Sequence, residues 1–175
     1  MALVVVTPPQ ALLALGDAKA HLRVDGTDED TYVLALIAAA QGAIDGPPGW
    51  LGISIGAQVL ELRAASFDGV AGNGLLLPYG PVTGIVSVSY VASDGTLGAV
   101  DPAVYALDGD ALGLAPTRMW PVIGFRSDAV RVRYATGFSP TADQPPKPTV
   151  PPAILHALKV MVALMYEDRL GAADL

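Results

Sequence analysis

GPPGWLGISIGAQVLELRA, residues 46–64, is where the chain changes its period. Upstream, apolar residues recur every three or four positions; downstream they alternate. Pro47 and Pro48 lack an amide proton and exclude the residue before them from α geometry, so a helix arriving at about Asp45 has to stop. Residues 57–64 then read as a strand. The same stretch holds Gly52-Ile53-Ser54-Ile55-Gly56, a G-x-S-x-G match to the nucleophile elbow of α/β-hydrolases. An elbow needs a strand before the serine, a helix after it, and a histidine and an acid later in the chain. Here the order is reversed, and the one later histidine, His156, falls within a helix near Lys159. The pentapeptide is read as a joint between helices and sheet, with Ser54 replaceable by alanine.

Working toward the N-terminus, a short helix is expected over about Leu15–Arg23, followed by a break at Gly26. Thr27 has the chemistry of an N-cap, and Asp28, Glu29 and Asp30 complement the positive end of the helix that follows. On that second helix Val33, Leu36, Ile37, Ala40 and Ile44 form an apolar stripe. Ala35, Ala38, Ala39 and Gly42 form a neighbouring face of small residues that lets another helix come close. The acids from Asp25 to Asp30 lack the central glycine and closing glutamate of a calcium loop, so they are read as capping residues.

Working toward the C-terminus, strands are expected at 57–64, 74–78, 82–92, 103–107 and 128–135, separated by turns at Asp68-Gly69, Asn73-Gly74, Asp94-Gly95 and Asp108-Gly109. GVAGNG, 69–74, lacks the order of a dinucleotide loop and no helix follows it. Arg131 and Arg133 share one strand face, read as solvated and met by nearby acids. SPTADQPPKPTVPP, 139–152, is a semi-extended connector. A last helix is expected over about Ala153–Arg169, with a main stripe at Ile154, Leu155, Leu158, Met161, Val162 and Met165. A second strip on it, Ala157, Val160 and Leu164, faces elsewhere.

Composition narrows the function. With 10 basic and 17 acidic residues the formal charge is -7, the wrong sign for a surface that neutralises phosphates. Zero cysteines and two histidines leave no thiolate chemistry and little material for a metal, so no catalytic, metal or cofactor-binding residue is assigned and no cofactor is expected. The N-terminal apolar run is too short for a signal peptide, and the uncharged stretch 69–93 carries the glycines, prolines and alternation of a sheet, so synthesis in the cytoplasm and no membrane partner are expected. Yet 52% of residues are hydrophobic and 15% charged, and the mean hydropathy is +0.47. Such a chain is expected to turn apolar surface toward another chain.

Three stretches, in this order, resemble one family. LGDAKAHLRVDGTDEDTYVLALIAAA, with Leu15, Asp17, Lys19, His21, Leu22, Arg23, Asp25, Asp28 and Asp30, is similar to the opening of the tailed-phage head-to-tail connector (adaptor) proteins, the phage gp6-like group. PVTGIVSVSYVASDGT, 81–96, resembles its central hairpin, and AILHALKVMVALMYEDR its closing helix, with Tyr166, Glu167 and Arg169. The resemblance implies an α+β fold: a small helical bundle from residues 1–52 and 150–175, an inserted antiparallel sheet or sandwich over 53–138, and a proline-rich linker over 139–152. It implies a non-enzymatic virion protein of a phage or gene transfer agent. About a dozen copies would form a closed ring under the portal, extend the DNA channel without sequence-specific binding, and offer a docking surface to stopper or tail proteins. Ala35, Ala38, Ala39, Val160, Leu164, Tyr166 and Arg169 are the candidate oligomer or portal interface. The alternatives are a serine hydrolase using Ser54 and a β-sandwich that binds a small ligand.

Overall fold

The computed structural model describes residues 1–68, 74–138 and 149–168. The described chain is mixed α/β, with helices α1 (Leu15–Leu22), α2 (Asp30–Ile44) and α3 (Pro152–Glu167). Its strands are β1 (Ala2–Thr7), β2 (Gln58–Ala64), β3 (Leu75–Leu76), β4 (Val82–Val91), β5 (Leu97–Ala99), β6 (Tyr105–Asp108), β7 (Ala111–Leu114) and β8 (Val130–Thr136). They form a five-stranded antiparallel sheet ordered β1-β2-β8-β4-β5 and a three-stranded one ordered β3-β7-β6.

The helices start and stop for local reasons. Pro151 and Pro152 open α3, where a missing amide proton costs nothing. At the end of α2, Asp45 turns to extended geometry and Gly46 takes a left-handed φ of 64°. The start of α2 departs from expectation: Glu29, not Thr27, stands at the N-cap, and no side chain caps the helix. The acids are engaged elsewhere. Asp30 pairs with Lys19 of α1, and Glu29 accepts from the Tyr166 hydroxyl of α3.

Alternation decides which face of each strand is buried. Leu60, Leu62 and Ala64 of β2, Val88 of β4, and Val130, Val132 and Tyr134 of β8 point into one core. Leu75 and Leu112 of the smaller sheet, with Leu77 just after β3, close it from the other side. Tyr134 donates its hydroxyl to the Pro78 carbonyl at 2.7 Å, which ties the two sheets together. A separate core joins the helices: Ala18, Val33, Ile37, Ala40, Ile44, Leu158 and Val162, with Leu13 and Ile55. The expected stripes of α2 and α3 supply most of it.

The expected strand at 103–107 is shorter and shifted, because Pro102–Val104 forms a 3-10 turn held by the Asp101 carboxylate. It pairs with β7, which the glycine in ALGL obscures as a strand, across a two-residue hairpin at Gly109 and Asp110. β1 also goes beyond the expected strands: residues 2–7 add to the edge of the five-stranded sheet by pairing with β2. The turn residues 69–73 and most of the linker, 139–148, lie outside the described residues.

Candidate functional site

Ser54 lies at the joint between α2 and β2, and its side chain is fully buried. Its Oγ has no hydrogen-bond partner, and its amide donates to the Tyr79 and Gly80 carbonyls at 3.3 and 3.2 Å. A nucleophile needs exposure and a base within reach; Ser54 has neither. The two histidines meet each other instead. His21 of α1 and His156 of α3 stand edge-on at 6.5 Å between ring centroids, both exposed.

What the joint does contain is a buried carboxylate. Asp45 Oδ1 accepts the Ile55 amide at 2.7 Å and Gln58 Nε2 at 3.2 Å, while Oδ2 accepts the Gly56 amide and Gln41 Nε2, each at 2.9 Å. Gln41 carries the network further: its Nε2 donates to the Gln10 carbonyl at 2.8 Å, and its Oε1 accepts the Leu12 amide at 3.0 Å. One side-chain pair on the last turns of α2 thus holds the entry to α1 and the entry to β2. Gly56 is required here, since a Cβ would stand 2.5 Å from the Gln10 carbonyl oxygen. The sequence carries a weak signal for this centre, a lone glutamine and aspartate four apart on an otherwise uncharged helix end.

On the outer face of the five-stranded sheet the arginines meet acids. Glu61 of β2 is buried and accepts from Arg133 at 2.6 Å and Arg63 at 2.7 Å. Burial pushes the Glu61 carboxyl up, but hydrogen bonds and charge from Arg133 and Arg63 outweigh it and hold the group below its usual range. Asp128 accepts from Arg126 at 2.5 Å and Arg131 at 3.0 Å, and these bonds hold its carboxyl low as well. The face is a set of ion pairs, with the Arg131 Nε left without a partner among the described residues. Asp110, of the Asp108-Gly109-Asp110 turn, accepts the Val82 amide at 2.7 Å and so pins the hairpin to β4. Among the described residues no group of three or more histidine or acidic side chains is placed to hold a metal, and no helix is long and apolar enough to cross a membrane.

The expected interface residues divide as follows. Ala35, Ala38 and Ala39 lie on the exposed face of α2, which carries no charge from Thr31 to Ala43. Val160 and Leu164 are exposed on α3, Leu164 at 61%. Tyr166 is half-buried and turned inward, its ring 6.1 Å from that of Tyr32. Its hydroxyl and ring join α3 to the start of α2. Arg169 lies outside the described residues.

One apolar surface carried no periodic signal. Between β7 and β8, Met119, Val122 and Phe125 are exposed at 84%, 82% and 111%. Their neighbours are anchored: Trp120 stacks on Phe67 at 4.2 Å and 2°, Ile123 packs on the sheet core, and the Gly124 amide donates to the Val91 carbonyl at 2.8 Å.

No family model matches the chain, and no curated protein matches it. Solved structures do. A chain in the neck of an empty GTA particle computed with C6 symmetry is 24% identical, with a TM-score of 0.69 over 99% of this chain and 88% of that one. A chain in the neck of the native GTA particle computed with C12 symmetry is 22% identical, with a TM-score of 0.68 over 100% and 88%. A chain in the virion of the native gene transfer agent particle is 23% identical, with a TM-score of 0.67 over 100% and 89%. The described chain therefore shares its fold with these chains of gene transfer agent particles.

Proposed function

We propose that this chain is a structural subunit of the neck of a phage or gene transfer agent particle, a head-to-tail connector that assembles into a closed ring of about a dozen copies against the portal. In this reading α1, α2 and α3, from 1–52 and 150–175, form the connector core, and 53–138 is an insert in it whose larger sheet takes β1 from the N-terminal segment as its edge strand, with 139–152 as the linker. The function is assembly without turnover. The ring extends the DNA channel and offers a platform to stopper or tail proteins.

The observation that carries the reading is the likeness over the whole chain to subunits of particle necks computed with six- and twelve-fold symmetry. Exposed apolar side chains on α2, α3 and the 119–125 loop support it, because a monomer has no use for them in water. A net charge of -7 suits a channel past which DNA slides, since a basic lining would retain phosphates. Mass spectrometry of purified particles made with this chain tests the reading. The chain is expected in roughly twelve copies per particle; particles complete with portal and tail but free of the chain would refute it.

A further inference from the structure

We infer that the 118–126 loop of one copy docks on the outer strip of α3 of the next copy, as the heterologous contact that closes the ring; this rests on the ring proposed above. Heterologous contacts need two different patches on one molecule, complementary in shape and charge. The loop carries the more exposed of the two patches. Trp120 and Ile123 point into the sheet core and fix the backbone, so Met119, Val122 and Phe125 are presented outward on a rigid support. Arg118 beside them is exposed and pairs with no acid among the described residues.

The strip on α3 has the matching chemistry. Val160 and Leu164, four residues apart, form an exposed apolar ridge, and Glu167 follows on the same face at the helix end, with Asp168 as the C-cap. Both acids are exposed, and the described last turn holds no basic residue. Acids at the negative end of a helix dipole repel it, so a cation supplied from outside is favoured there. Arg118 of a neighbouring copy brings one, while its apolar side chains cover Val160 and Leu164. The uncharged face of α2 gives Arg118 nothing to pair with, which is why α3 is the better seat.

The chain has no cysteine, so introduced thiols report this contact without background. Particles are assembled on full-length chain carrying Phe125→Cys and Leu164→Cys and treated with a short bis-maleimide. A ladder of dimers, trimers and higher species on a denaturing gel is expected from the double variant, and none from either single variant. A neck ring visible by electron microscopy without a ladder would overturn the contact, as would capture of a different particle protein by Phe125→Cys. Absence of a ring with the native chain would sink the ring itself and the contact with it. In a second arm, Arg118→Glu lowers the ring yield on portal about tenfold, and adding Glu167→Arg restores it. Both positions are exposed, so thermal melting should be unchanged. An undiminished ring yield with Arg118→Glu would also overturn the contact.

Discussion

At the scale of single residues, the joint between helix and sheet depends on Asp45. Its carboxylate satisfies two backbone amides that would otherwise be buried without partners. Asp45→Asn keeps the shape but sets an amide group against donors, and is expected to cost about 2–3 kcal/mol in urea unfolding. Ser54→Ala, nine residues on, is expected to leave stability within about 1 kcal/mol of the native chain or raise it, since the lost hydroxyl is buried and unpaired. Glu61 sets part of the acid limit. Its carboxyl titrates below the ordinary 4.5 in the folded chain, so its stabilisation is full above that value and is lost as the pH falls through the folded pKa. Glu61→Gln should therefore flatten the decline in melting temperature below about pH 4.5, while the native chain keeps a steep one. The sequence exposed the failure of Ser54 through the order of elements around it. It did not expose Asp45, because a hydrogen-bond network among residues 10, 12, 41, 45, 55, 56 and 58 leaves no periodic trace.

At the scale of elements, strong periodicity was legible and weak pairing was not. The stripes of α2 and α3 and the alternation in β2, β4 and β8 are written in the residues themselves, and the structure buries them as that pattern requires. β1 and β7 are strands because of what they pair with: β1 finds β2 across more than fifty residues, and β7 finds β3 and β6 despite Gly113. The acids at the start of α2 were legible as charges but not as partners. Their roles depend on Lys19 and Tyr166, which belong to other helices. The bond from Tyr166 to Glu29 was illegible for the same reason, since one sequence does not show which side of α3 the tyrosine takes. The outer strip of α3 makes a prediction of its own. Val160→Gln and Leu164→Gln should each change folding stability by no more than about 0.5 kcal/mol, as exposed substitutions do, yet abolish incorporation into particles, read by immunoblotting of purified necks.

At the scale of the whole molecule, three properties agree. The described chain folds like a subunit of a particle neck, its apolar excess is displayed on separate surfaces, and its buried carboxylates Asp45 and Glu61 are paired within the chain. The composition pointed to the second of these, since 52% hydrophobic residues leave more apolar surface than one small domain buries. The anchored loop at 119–125 had no such signal, because exposure there depends on Trp120 and Ile123 finding the core first. The most direct measurement is electron microscopy of the purified chain mixed with its portal protein. A closed ring of about twelve copies seated on the portal is the predicted result; a chain that stays monomeric beside fully formed portal would contradict it.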